Sequence, residues 1–469
     1  MIAQPPLTGA IHRFRTFFAP ADDLAALLTE FREAAPRRFN FGASPARCGR
    51  AAFSARTDMP LAKAAARARD WIVDEAAPLW WARGRDPSGG FVERIGLDGV
   101  ALRETRRVRV SARQVYAFAV AARLGWSGPV ERAMGQGLAF LRGPGRSATG
   151  GIAARIAVDG TILDAGPDLY DQAFLMLALS EAQRITGDPA LERQALRVLD
   201  LIERDLRHPS AGYEERRPRQ LPLRANPHMH LLEVAIAWMS VGTSPRWRGL
   251  GHQVVAMCRD RFRDPETGAL LEVFDGDWRP LPGADGDSVE PGHLFEWTWL
   301  LWRWQALSGE PTAAMALRFA EIARRHGVDL DRNVAVDEIG RDFRIKRATA
   351  RAWPQTERLK AGIACRDWAA PGSAARSEAE AEILSAWAAI ERYLDVAVPG
   401  LWRDRMREDG RFVEEPAPAS TFYHFACAAA ELSAAAELAA AAELATAGEL
   451  AMAAERGAAV RAAEPVTVP

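Results

Sequence analysis

Cysteine is scarce and scattered. Cys48, Cys258, Cys365 and Cys427 form no CxxC pair and no close spacing. Neither a disulfide framework nor a thiolate zinc site is written into the chain. Dispersed, reduced thiols of this kind point to the cytoplasm. Excess charge is missing too: 60 Lys plus Arg face 61 Asp plus Glu. That balance removes the global field that a nucleic acid or an anionic membrane would need. No uncharged apolar run approaches the roughly 18 residues of a membrane span, and the opening MIAQPPLTGAIHRFRTFF lacks an apolar core of signal-peptide length. Tyrosine is rare, with 5 against 15 tryptophans. Indoles are costly to leave exposed, so such a surplus marks a deep core or an aromatic cleft.

What is present begins with a repeat. DPSGGFVERI, SATGGIAARI, HPSAGYEERR and DPETGALLEV each close a helical run. Their glycines, Gly90, Gly151, Gly212 and Gly268, stand roughly 60 residues apart, the period of a repeated supersecondary unit. Weaker echoes at NVAVDEIG and LWRDRMREDG bring the count to six. A glycine after a helix allows the positive φ of a helix stop or tight turn, here before a short extended piece.

Between these loops the apolar periodicity predicts helices in pairs: 109–124 with 129–142, 168–186 with 190–206, and 228–241 with 247–262. Two further pairs follow, 291–308 with 312–326 and 355–368 with 376–394, flanked by a helix at 60–81 and another from 421. Six pairs without long alternating strands predict an all-α chain folded as an (α/α)6 barrel, with short hairpins and loops between pairs. The competing architecture is an open α-solenoid, whose concave face serves protein partners. It has no need to bring ionisable and aromatic residues to one point.

Residues 1–59 read as an N-terminal extension with one short helix at 21–34, where Leu24, Leu27, Leu28 and Phe31 form a stripe. The catalytic domain is placed at 60–430. Residues 431–469 read as an alanine-rich helical extension. Its leucines, Leu432, Leu438, Leu444 and Leu450, recur every six residues and step around a helix instead of lining one face.

The chemistry gathers at the starts of helices. EPGHLFEWTWLLWRW places His293 and Glu296 three apart, on one face lined by indoles. NPHMHLLE repeats that spacing with His230 and Glu233. His228 and His230 are two apart and point in nearly opposite directions, so they are not a chelating pair, and His228 reads as a core or capping histidine. SARQVYAF contributes Arg113, DLYDQAF Tyr170, WPQTE Trp353, Gln355 and Glu357, and FYHF His424. Each alone is more often a packing residue. In a closed barrel, however, the helices that open each pair form the inner ring, and their polar residues face one cavity.

Together EPGHLFEW, NPHMH, the Arg-Gln of SARQVYAF, WPQTE and FYHF, in this order across residues 60–430, resemble the N-acylglucosamine 2-epimerase family. That superfamily includes cellobiose 2-epimerases and aldose–ketose isomerases of mannose and related sugars. The resemblance implies an (α/α)6 barrel and metal-free, cofactor-free proton transfer at C1–C2 of a reducing sugar. Its site residues fall on Arg113, His230, His293, Glu296, Trp353 and His424, with Tyr170 and Gln355 at the margins. The family often carries two aromatic residues before the proline of the WPQ-like motif; here Ala352 precedes Trp353.

Proton transfer beside an aldehyde needs a base for the C2 proton and stabilisation of an enediolate. Histidine titrates in the right range to act as acid or base. The expected assignment makes His293 and His424 the acid–base pair, with Glu296 orienting and charging His293. Arg113 would stabilise charge on O1 or O2, His230 would bind or open the ring, and Trp353 would stack on the sugar. Tyr170 and Gln355 would complete substrate binding. Mannose–fructose isomerisation is preferred over 2-epimerisation of an N-acyl hexosamine or disaccharide, because no aromatic platform for a second sugar is evident. A glycoside hydrolase using Glu296 with Glu233 or Glu357 and a non-catalytic scaffold are the rivals. The partner is a small sugar, with no nucleic acid or membrane expected; a homo-oligomer is compatible with the sequence.

Overall fold

The computed structural model describes residues 60–462, with side chains to residue 442. The helix expected at 21–34 lies outside the described residues. Among the described residues twelve helices follow one another. Helix α1 runs through Leu61–Asp70, a wider turn at Trp71–Ala76, and Ala77–Arg83. Then come α2 (Arg109–Leu124), α3 (Val130–Arg142), α4 (Leu169–Thr186) and α5 (Ala190–Asp205). After them stand α6 (Asn226–Val241), α7 (Arg246–Met257, prolonged by Cys258–Phe262), α8 (Pro291–Ser308) and α9 (Ala313–Gly327). The last are α10 (Ala352–Trp368), α11 (Ala374–Leu394) and α12 (Ala419–Ala462). The sequence pattern placed each to within about a turn. The alanine-rich extension expected beyond residue 430 continues α12 without a break.

Their neighbours run in a cycle. Helix α2 packs on α4, α4 on α6, α6 on α8, α8 on α10, α10 on α12, and α12 returns to α2. Each of these has an outer companion: α3 on α2, α5 on α4, α7 on α6, α9 on α8, α11 on α10 and α1 on α12. The side-chain patterns explain who stands where. Helix α5 buries Leu191, Ala195, Val198 and Ile202, a single stripe with charges opposite, as a helix with one wet face must. Helix α4 is buried from Gln172 through Ala182 without interruption, because it is covered on every side.

Helix ends are set locally. Asp168 caps α4 by accepting from the Asp171 N–H at 3.1 Å. Pro291 occupies the first turn of α8, and Gly309 in the left-handed region ends it.

A clamp recurs in the loops. The inner-helix side chains Ser111, Gln172, His228 and Gln355 accept hydrogen bonds from the backbone N–H of Phe91, Ile152, Tyr213 and Ala335, at 3.2, 2.9, 3.0 and 2.8 Å. In the first three repeats the repeat glycine makes room for it: a Cβ on Gly90, Gly151 or Gly212 would collide with Ser111, Gln172 or His228. Gly90, Gly212 and Gly268 have positive φ, whereas in the second repeat Gly150, not Gly151, takes it. Close approach, more than backbone conformation, is what Gly151 supplies. His228 thus is a core histidine; burial pushes its pKa down to about 3, and as a neutral ring it can accept the N–H.

Ala419–Ala442 is long and apolar enough to cross a membrane, since it carries only Glu431 and Glu437 as charges. In the fold this segment belongs to α12, packed against α1, α2 and α10. The three described cysteines, Cys258, Cys365 and Cys427, are free thiols.

Candidate active site

The first turns of the inner helices converge. Trp353, at the start of α10, lies with its ring centroid 5.2 Å from that of His293 and 5.5 Å from that of His424. The two imidazoles therefore flank one indole and cannot be more than about 11 Å apart, twice the larger of those distances. Gly292 permits this: a Cβ there would stand 2.6 Å from the Trp353 ring. Trp353 and Tyr170 are half-buried, whereas His293, His424 and Arg113 are only 5–6% exposed. The ring of aromatics forms the wall, and the ionisable groups form the floor.

The two histidines have opposite surroundings. His293 Nδ1 lies 3.0 Å from a Glu272 carboxylate oxygen. Burial disfavours its charge, but Glu272 and Glu290 outweigh burial and lift its pKa to about 10. His424 Nδ1 is 2.8 Å from Glu357. There burial prevails, with Arg113 and Lys360 adding repulsion, and the pKa falls to about 4 despite Glu357. At neutral pH His293 is an imidazolium and His424 a neutral imidazole, with Nδ1–H on Glu357 and the Nε2 lone pair free. Asn226 Nδ2 sits 3.1 Å from His293 Nε2. A charged His293 has no lone pair to accept that N–H, so its amide must present oxygen instead, which also satisfies the otherwise orphaned Asn226 Oδ1.

This corrects the assignment of Glu296. It does not orient His293; Glu272, on the loop before α8, does so. Glu296 is 1% exposed and lies within 4.8 Å, ligand atom to ligand atom, of both the His230–Glu233 pair and the Glu357–His424 pair. Burial and the nearby Glu357 push its pKa far up, and it joins the two pairs. Glu272 was legible in part. Three of the four repeat motifs carry glutamate three or four residues beyond the glycine, as Glu93, Glu215 and Glu272. Only the tertiary structure shows that one of them faces a histidine.

Below the histidines lies a charge no motif announced. Lys360 is fully buried, 2.7 Å from Glu357, with its ammonium 3.7 Å from the Trp299 ring centroid. Burial works against its charge, but Cys427, Glu357 and Glu296 hold its pKa up. Burial alone would raise the Glu357 pKa; Lys360 and His424 instead keep it low. His424 thus leans on a carboxylate that is itself anchored. His230 bonds Glu233 at 3.0 Å, and Tyr423 donates to the same carboxylate. Burial lowers the pKa of His230.

Arg113 donates to the Tyr170 hydroxyl and, at 3.0 Å, to the Ser420 carbonyl, and it lies over the Phe174 ring. Tyr170 in turn stands edge-on to His230 at 4.9 Å. Arg113, Tyr170, His230, His293, Glu296, Trp353 and His424 therefore share one locality. Gln355 does not face it. Its amide is wholly engaged with the backbone of Ala335 and Arg351, and it has no exposed surface. It was misread because the WPQTE motif supplies both a wall residue and a loop clamp.

Two histidines of opposite basicity beside a guanidinium, an indole and a phenol fit the chemistry of a sugar isomerase or epimerase. The chain belongs to the N-acylglucosamine 2-epimerase family, whose model, described as N-acylglucosamine 2-epimerase (GlcNAc 2-epimerase), matches residues 89–428. It is 45% identical over 368 residues to a mannose-6-phosphate isomerase of Rhizobium meliloti strain 1021, covering 77% of this chain and 95% of that protein. It is 25% identical to a D-mannose isomerase of Thermobifida fusca, over 58% of this chain and 72% of the relative. Among solved structures, a cellobiose 2-epimerase from Spirochaeta thermophila superimposes with a TM-score of 0.71 at 22% identity, covering 81% of this chain and 98% of that one.

Proposed function

We propose that the protein is an aldose–ketose isomerase of mannose-type sugars, working on an (α/α)6 barrel without a metal. The observation that carries this is the placement of two histidines beside one indole, each against a carboxylate of its own. On this reading the open-chain aldose lies against Trp353 with C1–C2 between the rings. His424 Nε2 takes the C2 proton, the C–H electron pair forms the C1–C2 double bond, and the carbonyl oxygen O1 becomes anionic. Arg113 stabilises that charge, a preorganised electrostatic role. The His293 imidazolium donates a proton to O1, and the neutral His293 then takes the O2 proton as C2 becomes the carbonyl, which restores its charge. His424 then returns its proton to C1, giving the ketose. Delivery to the opposite face of C2 would give the epimer instead.

The relatives named mannose-6-phosphate isomerase and D-mannose isomerase favour the isomerase outcome. The hydrolase alternative needs two carboxylates flanking a glycosidic bond. Glu233, Glu296 and Glu357 are instead buried, Glu233 on His230 and Tyr423 and Glu357 on Lys360 and His424, which disfavours a glycosidic bond between them.

Incubation with mannose in D2O tests the reading by NMR. Isomerisation deposits deuterium at C1 of the ketose; epimerisation deposits it at C2 of the aldose, and neither label would reject both. His424→Ala should lower kcat by about 10²–10⁴-fold, the usual weight of a general base, while circular dichroism stays unchanged. Near-normal turnover in that variant would remove His424 from the pair.

A further inference from the structure

A cavity of about 640 Å³ opens beside the floor just described. Its wall carries Arg94, Arg107, Arg109, Arg155 and Arg216. Two shared contacts tie it to Arg113. Arg109 lies one helical turn before Arg113 on α2, and both guanidiniums stand over the Tyr170 ring, at 5.0 and 5.6 Å. Arg107 and Arg113 both reach Ser420, at the start of α12. The cavity lining therefore adjoins Arg113 through Tyr170 and Ser420.

We propose that this cavity seats the phosphate of a phosphorylated reducing sugar, with the ester at the end of the carbon chain remote from C1. The placement of C1–C2 rests on the isomerase reading above; the anion site itself does not.

The wall holds no aromatic residue, so it offers no platform on which a second sugar ring would stack. What it offers is guanidinium forks. Their planes are fixed by carboxylates: Arg94 by Glu104 at 2.8 Å, Arg107 by Glu93, Arg109 by Asp171, and Arg216 by Asp164 and by Asp168 at 3.2 Å. These pairs nearly balance the charge, so a neutral hydroxyl gains little here over water. A phosphate monoester differs in two ways. It carries about −1.5 to −2 charges at pH 7 and three strong acceptor oxygens, and each guanidinium has five N–H donors, of which the internal pairs use only some. The Arg155 side chain has neither an ion pair nor a hydrogen bond among the described residues, and it is exposed in the wall. It is the one cation there with its full set of donors ready for an incoming anion.

The test has two arms on the full chain. The first compares mannose with mannose 6-phosphate by kcat/KM. The phosphorylated sugar should be preferred, and Arg155→Gln should cut that preference by about tenfold or more, the loss of one charge-assisted contact. Equal use of both sugars, or a preference that survives the substitution, overturns the proposal. The second arm measures inorganic phosphate binding by calorimetry, which needs no turnover. Wild type should bind it, and Arg155→Gln should bind it at least about tenfold more weakly; no binding to wild type overturns the site. Deuterium-free sugars alongside normal phosphate binding would reject the isomerase chemistry and leave the anion site standing.

Discussion

His293 and His424 flank the same indole yet hold their protons with very different strength, and that difference sets the pH dependence. On the proposed mechanism the active form has His424 neutral and His293 charged. Activity should therefore rise as pH climbs through about 4, where His424 loses its proton, and fall as it passes about 10, where His293 does. Glu272 is the strongest attraction on His293, so Glu272→Gln should move the alkaline limb of kcat/KM to lower pH, and Glu296→Gln should move it less. The reverse ranking would restore Glu296 as the partner. Lys360 acts at one remove: it repels a proton on His424 and anchors Glu357. In Lys360→Met the Glu357–His424 pair should hold its proton more readily, shifting the acid limb upward. A limb that stays put while only stability drops would make Lys360 a structural cation. The histidines, Arg113 and Trp353 were all readable as candidates, because motifs expose residue types. Their protonation was not, because burial and charges from other helices decide it.

At the scale of the element, the recurring unit is an inner helix whose first turn reaches back to pin the preceding loop. Gln355 accepts the Ala335 N–H and donates to the Ala335 carbonyl at 3.0 Å. Gln355→Ala would orphan both buried backbone groups, and should cost about 1–3 kcal/mol of stability, read from urea unfolding. Because Trp353 is two residues away, KM should rise more than kcat falls. A variant with unchanged stability and a lost substrate contact would return Gln355 to the binding site. Helix positions were legible from apolar periodicity, and the repeat glycines from spacing. The clamps were not, since Ser, Gln and His serve the same position and no shared letter marks it.

At the scale of the molecule, the cycle of inner helices closes where α12 meets α2, and the join is polar. Gln114 donates to the Ala419 carbonyl at 2.9 Å and Arg113 to that of Ser420. Gln114→Ala should lower stability by about 1–3 kcal/mol and reduce hydrogen-exchange protection in both α2 and α12. Loss confined to one helix would mean that the join does not couple them, as in an open array. The closure also places residues from opposite ends of the domain, Arg113 and His424, in one floor. The sequence by itself determined the helices, their pairing, the family and most of the side chains that could do chemistry, because periodicity and motif spacing are local. Only the tertiary structure decided that Glu272 serves His293, that Glu296 joins two pairs, that Lys360 lies beneath them, and that Gln355 holds a loop. Most of those are contacts between segments distant in sequence, and in a buried, weakly screening interior such contacts govern where each proton resides.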